Sequence, residues 1–213
     1  MTQLYNLRKE YKQDTLSKSK VNENPIKQFE IWMNEAISSK VIAEPNAMTV
    51  ATSTPDGKPS ARVMLLKSFD NEGFVFYTNY ESRKSLELNA NPHAYIVFDW
   101  HEMERQVRIE GVVEKVSPEE SDKYFNARPE KSQLGAWLSP QSTFIYDRQE
   151  LENRKTKIES QFEDKPITRP PYWGGYVLKP QTIEFWQGRQ SRLHDRLIYI
   201  KTDEGWILRR LAP

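Results

Sequence analysis

Cysteine is absent from the 213 residues, which removes disulfides, iron–sulfur clusters, thiolate zinc sites and cysteine nucleophiles together. Histidine is nearly absent. Three occur, at 93, 101 and 194, none with another three or four residues away, so a histidine-based metal site is not expected. Glycine is scarce, eight in all, and neither G-x-G-x-x-G nor G-x-x-x-x-G-K-[ST] occurs. A phosphate would have to be held by side chains rather than by a glycine-rich loop. Charge of one sign is not in excess either: 31 Lys and Arg against 30 Asp and Glu leave +1, which argues against a nucleic-acid binder. No apolar run reaches eighteen residues and the polar N-terminus lacks a signal core, so a cytoplasmic protein is the expectation.

What the chain does have is aromatic rings: six Trp, ten Tyr and nine Phe. Most are core material, but some can wall a planar ligand. Residues 1–22 are polar and lysine-rich without a period, and read as a mobile arm ahead of a single domain over 23–213. Asn24-Pro25 reads as a cap and first turn, with Ile26, Phe29, Trp32, Met33, Ala36 and Ile37 at helical spacing over 25–38. From Ala47 the period becomes that of strands: AMTVATST and SARVMLLKSF about the Pro55-Asp56-Gly57 turn, then FVFYTN, HAYIVFDW and RQVRIEGVVEKV. Short helices are expected from Ser82 to Asn89, over 118–127 behind the Ser117-Pro118-Glu119-Glu120 capping box, and in KSQLGAWL; 147–162 reads as a surface helix. WGGYVLK, TIEFWQG, RLIYIK and WILRRL close the chain as strands. Short connections favour an antiparallel barrel or sandwich over βαβ units.

Four basic groups are candidates for an anionic ligand. Arg62 and Lys67 punctuate a hydrophobic strand; Arg83 and Lys84 follow Tyr77-Thr78-Asn79 at a strand-to-helix junction; Glu104-Arg105-Gln106-Val107-Arg108 is the third; Arg192-Leu193-His194-Asp195-Arg196, just after Glu184-Phe185-Trp186-Gln187, is the fourth. Each alone is as easily surface decoration. Arg62 and Lys67, five residues apart, face opposite ways on a regular strand, so either a bulge intervenes or they serve different ligands.

Taken together, LRKEY, RVMLLK, FYTNYESRK, ERQVRIEG, YFNARPEKSQLGAW, SPQS, PYWGGY, IEFWQGRQSRLHDR and RRLAP make the chain resemble the pyridoxine 5'-phosphate oxidase family along nearly its whole length. The resemblance implies a mainly β fold with flanking α-helices, a six-stranded antiparallel FMN-binding split β-barrel. It also implies a homodimer with FMN at the subunit interface. Its activity would be oxidation of pyridoxamine or pyridoxine 5'-phosphate at C4' to pyridoxal 5'-phosphate. A hydride would pass to the flavin, and O2 would reoxidise it, giving H2O2. Carried over by position, the run Arg62, Val63, Met64, Leu65, Leu66 and Lys67 falls to the cofactor site, with Arg62, Arg83 and Lys84 on its phosphate and Gln141 and Ser142 beside them. Tyr77, Thr78, Gln106, Trp186 and Arg196 would line the rest of the flavin. Lys67, Tyr124, Arg128 and Ser132 correspond to the substrate-phosphate set, Arg192 and His194 to the catalytic pair, and Arg8 and Tyr11 to an arm folding over the site.

The residue chemistry agrees. Tyr124, Arg128 and Ser132 recur every four residues and share a face if the helix continues, although Pro129 interrupts the run. Arg192 keeps its proton and would clamp the substrate; His194 would either exchange a proton or only hydrogen-bond. The arm departs from the family's pattern at Asp14-Thr15, where glycine is usual, which bears on how readily the arm folds. Two rivals are a split-barrel flavin reductase-like enzyme and a non-catalytic pyridoxal phosphate-binding protein.

Overall fold

The computed structural model describes residues 4, 5, 7 and 9–213. Helix α1 (Pro25–Ser39) starts where the Asn24 side chain accepts from the Ile26 and Lys27 amides, and its buried stripe of Ile26, Phe29, Trp32, Met33 and Ala36 matches the period in the sequence. Nine antiparallel strands follow: β1 (Ala47–Ser53), β2 (Pro59–Leu65), β3 (Ser68–Asp70), β4 (Gly73–Asn79), β5 (His93–Trp100), β6 (Arg105–Lys115), β7 (Trp173–Gln187), β8 (Asp195–Thr202) and β9 (Gly205–Leu211). The sheet runs β2-β1-β5-β6-β7-β4-β3, with β8 and β9 branching from β7. The six long strands from β2 to β4 correspond to the expected six-stranded barrel; β3 lengthens the β4 edge and β8–β9 branch off the second half of β7.

The branch point has a local cause. WGGYVLK and TIEFWQG, expected as two strands, form one continuous β7 across Pro180. Its first half pairs with β4 as far as Leu178, and its second half pairs with β8 from Thr182. At the crossing the β6–β7 register slips, with Gly111 opposite Pro180 and Glu110 opposite Thr182. Proline has no N–H to give a ladder and is tolerated at such a bulge. Gly111 is needed there too, since a Cβ would stand 2.1 Å from the Lys179 carbonyl oxygen.

The sheet curls about α1. Phe29 meets Phe69, Phe74 and Phe98 with ring centroids 4.9–5.0 Å apart, and Trp32 meets Phe185 edge-on at 5.1 Å. A fully buried ring such as Phe29, Phe74, Phe98 or Phe185 contributes about 1.5–3 kcal/mol, so α1 is the plug around which the strands curl. A smaller cluster of Phe125, Ala136 and Trp173 joins α3 (Pro118–Asn126) and α4 (Glu130–Leu138) to the start of β7. Two further helices complete the chain: α2 (Arg83–Ala90), and α5 (Arg148–Gln161), which buries no residue and is the surface helix its sparse apolar stripe implies. Ser82 precedes α2 but does not cap it; its hydroxyl donates to the Asn79 carbonyl.

Residues 12–16 of the stretch read as an arm lie along the body. Lys12 and Gln13 amides donate to buried Glu104, the Leu16 amide donates to Asp195, and the Leu16 side chain joins the core. Among the described residues, no helix is long and apolar enough to cross a membrane, and no cluster of His, Asp and Glu is placed to hold a metal ion.

Candidate active site

Two hollows contain most of the residues singled out in the sequence. The first, of about 610 Å³, is lined by Arg62, Val63, Met64, Leu65 and Lys67 from β2 and its exit, Tyr77 and Thr78 from β4, Lys84 from α2, Tyr124, Arg128, Pro129 and Ser132 from α3–α4, Gln141, and Trp173 from β7. Four cations line it and no carboxylate does. The parity question at Arg62 and Lys67 is answered by the end of β2 at Leu65: strand alternation stops there, and both cations reach the same cavity. Leu66 does not; its side chain is buried in the core. Likewise Pro129 ends one helix register and starts another, yet Tyr124, Arg128 and Ser132 still share the wall.

Behind Arg62 stands Glu87, which the sequence reading passed over. Its carboxylate, 4% exposed, takes the Thr52 and Ser60 hydroxyls and Arg83 Nε, and lies 3.5 Å from Arg62 Nη2. Burial pushes this acid up, but the two hydroxyls and Arg83 outweigh it and hold it at about 2. The only prior signal was its place one helical turn after Arg83. Lys84 has no such partner. Its ammonium group reaches only neutral acceptors, Thr78 Oγ1 at 3.0 Å, Ser82 Oγ at 3.1 Å and Gln141 Oε1 at 2.6 Å. Burial, aided by the Arg62 charge, pulls it down to about 8. Arg128 is also without an acid: one guanidinium nitrogen, Nη1, is buried with no hydrogen-bond partner. The Tyr77 phenol is pushed up by burial and by Glu120, so it stays protonated.

The second hollow, of about 510 Å³, is lined by Tyr11, Gln106, Trp186, Arg192 and His194 together with Leu7, Lys9, Glu10, Arg189 and Ser191. Arg192 and Ser191 both hold left-handed backbone, φ +61° and +56°, a strained pair of the kind that clusters at ligand sites. The His194 ring lies 4.7 Å from Trp186 and 5.7 Å from Tyr11, and its Nδ1 accepts the Arg189 amide at 3.1 Å. Burial and then the Arg192 charge lower its pKa. Tyr11 packs over Gly188, where a Cβ would meet its ring at 2.7 Å.

Besides Leu66, three expected residues stand apart from both hollows. Arg83 and Ser142 line a separate surface hollow beside Phe144. Arg196 pairs in register with Trp186, but its guanidinium is bonded to buried Glu184 and to the Ala212 carbonyl. Arg8 lies outside the described residues. Trp173, which the sequence marks only by its place in PYWGGY, lines the first cavity; an aromatic beside two glycines is the available signal.

The family described as "Pyridoxamine 5'-phosphate oxidase" matches residues 34–162, and the "Pyridoxine 5'-phosphate oxidase C-terminal dimerisation region" matches 173–213. Proteins named pyridoxine/pyridoxamine 5'-phosphate oxidase are similar along their whole length. The one from Acaryochloris marina is 54% identical over 100% of this chain and 96% of its own; that from Paraburkholderia phytofirmans is 53% identical over 100% of both. Among solved structures, PhzG from Burkholderia lata, in complex with tetrahydrophenazine-1-carboxylic acid, superposes with a TM-score of 0.87 at 31% identity, covering 94% of this chain and 98% of that one. An FMN-binding pyridoxamine 5'-phosphate oxidase-related protein from Nostoc punctiforme shares the fold, with a TM-score of 0.70 at 18% identity over 91% of this chain and 100% of that one. The chain therefore belongs to the pyridoxine/pyridoxamine 5'-phosphate oxidase family of split-barrel oxidoreductases.

Proposed function

We propose that this protein, as a homodimer, oxidises pyridoxamine 5'-phosphate or pyridoxine 5'-phosphate to pyridoxal 5'-phosphate with FMN as cofactor. The observation that carries the reading is a cavity walled by four cations and no acid. They fall into two sets, one for each phosphate that such a reaction must hold. Arg62, with Lys84, Thr78 and Gln141 gathered by Lys84's own hydrogen bonds, suits the FMN phosphate. Lys67, Tyr124, Arg128 and Ser132 suit the substrate phosphate: one ammonium, one guanidinium fork and two hydroxyls. Two features of the empty-handed side chains fit anionic ligands, the buried Lys84 without a carboxylate and the orphaned Arg128 Nη1. Each charge-assisted hydrogen bond is worth about 1.5–3 kcal/mol, so three or four anchor a small phosphorylated molecule.

The rest of the flavin set, Gln106 and Trp186, lines the other hollow with Arg192 and His194. A partner copy related by a twofold axis would bring its second hollow against the first cavity of this chain, consistent with the match of residues 173–213 to a dimerisation region. When bound, FMN supplies a hydride acceptor for C4' and a route from there to O2, with hydrogen peroxide as product. The chain's residues bind and align. Arg192 clamps the substrate through its guanidinium donors. Because His194 Nδ1 accepts the Arg189 amide, its proton sits on Nε2 in the neutral ring, which makes it a hydrogen-bond donor to substrate. The test is a visible spectrum of the purified protein with peroxide release on adding either phosphorylated vitamer. A yellow protein producing peroxide with one or both is expected. A yellow protein inert to both would favour a different split-barrel oxidoreductase, and a colourless one that binds pyridoxal phosphate would favour a non-catalytic role.

A further inference from the structure

Arg128 is held in place without any acidic partner. Its guanidinium carbon lies 4.6 Å above the Trp173 ring and 5.8 Å from that of Phe125, while Nη1 is buried and unbonded. Trp173 itself is 7% exposed and belongs to a parallel stack: Tyr77 lies 3.9 Å from Tyr124 at 20°, and Trp173 lies 5.6 Å from Tyr77 at 14°. Gly175 leaves room for the stack, and Gly174 leaves room for Tyr80 beside it. A Cβ on Gly175 would stand 2.7 Å from the Tyr77 ring, and one on Gly174 would stand 2.2 Å from the Tyr80 hydroxyl. The Trp173 backbone is pinned as well, its carbonyl accepting from Arg169 Nη1 at 2.7 Å, with Arg169 Nε on Asp122.

An aromatic face orients a guanidinium without neutralising it, whereas a carboxylate in the same place would compete with an incoming anion. We infer that Trp173 is a positioning residue: its indole holds the Arg128 guanidinium at the cavity wall with donors free for the phosphate of the substrate. This rests on the assignment of Arg128 to the substrate phosphate under the proposed function. Replacing Trp173 removes the support of a binding group, and loss of uniform binding raises KM while leaving kcat in place.

The experiment uses FMN-loaded enzyme and pyridoxamine 5'-phosphate, with inorganic phosphate as competitor. In Trp173→Leu, KM and the inhibition constant of phosphate are expected to rise together by about ten-fold, within the range of a desolvated cation–π contact. In Trp173→Phe, which keeps a weaker ring, the rise is expected to be about three-fold. In both, kcat and FMN affinity stay within about two-fold. If kcat, FMN affinity and thermal midpoint fell together with no selective change in KM, Trp173 would be a packing residue only and the inference would be overturned. Should the leucine variant not fold, the phenylalanine variant decides by the same criterion. Arg128→Ala separates the two claims. A KM unchanged in that variant would remove the phosphate assignment itself. A raised KM there, with wild-type values in both Trp173 variants, would remove only the role of Trp173.

Discussion

Lys84 shows how its surroundings set the chemistry of a single residue. A lysine in the first turn of α2 is ordinary; a lysine 8% exposed, with three neutral acceptors and Arg62 as its charged neighbour, is held at about 8. Below that value it carries a charge that folding has desolvated without pairing. Between about 8 and the ordinary lysine value of 10.5, the unfolded chain keeps a proton that the folded chain has lost. Stability of the unliganded protein should therefore gain from this group as pH rises through that window. Anion binding has the opposite sign. The affinity for FMN, measured by fluorescence titration between pH 6.5 and 9.5, should fall as pH passes about 8, and Lys84→Gln should both weaken binding by roughly ten-fold or more and flatten that dependence. A wild-type affinity that stays level across this range would exclude Lys84 as an anion ligand. The sequence placed Lys84 at a helix start with Arg83 beside it. It gave no means to tell which of the two faces the cavity, because that depends on where Glu87 sits: Arg83 is turned onto Glu87, and Lys84 is left free of it.

At the scale of elements, the contact between the N-terminal segment and the β7 exit is the most informative. Glu104, itself in left-handed backbone at φ +55°, receives the Lys12 and Gln13 amides, and Gly188 leaves room for the Tyr11 ring above it. A methyl group at position 188 would press on Tyr11 near its Cβ, at 2.9 Å, where the side chain has little freedom to swing away. Gly188→Ala should lift the segment from the second hollow while leaving the barrel intact. Faster limited proteolysis before Leu16, with a thermal midpoint lowered by no more than a few degrees, is the expected outcome; unchanged proteolysis would show that the segment accommodates the methyl group. The period of the sequence located α1 and most strands because each buries one face, and burial writes its own spacing. It divided β7 at Pro180 because proline normally ends a strand. The strand continues because β7 itself bulges there, with Gln181 left between Pro180 and Thr182 where β6 steps straight from Gly111 to Glu110, and such a register slip cannot be read from one strand's sequence.

For the whole molecule, the proposed site needs two chains. Arg128 and Arg192 line different hollows of one chain, so in the homodimer they would meet across the interface. Unfolding and refolding a mixture of Arg128→Ala and Arg192→Ala subunits should then restore activity that neither has alone. Half of the dimers would be mixed, and each would hold one fully intact site, giving about a quarter of wild-type turnover. If both residues served the same site from one chain, no mixing ratio would restore anything, and peroxide assays across mixing ratios distinguish the two arrangements.

Composition and pattern by themselves determined a good deal here. The absence of cysteine, the scarcity of histidine and the lack of a phosphate-binding glycine loop turned attention to side-chain cations, and the ordered motifs carried the family resemblance. Local chemistry also placed the capping residues Asn24 and Ser117, since a cap needs only its own next few amides. What the tertiary structure alone decided was which cations converge and which are spent. Arg62, Lys67, Lys84 and Arg128 come from three separate parts of the chain to one wall, whereas Arg83 and Arg196 are engaged by the buried carboxylates Glu87 and Glu184. The physical reason is that a charge matched by a nearer opposite charge has less left for a ligand, Arg62 being the intermediate case because the Glu87 behind it, 3.5 Å away, also holds Arg83, and nearness in a curled sheet is set by strand pairing between residues far apart in sequence.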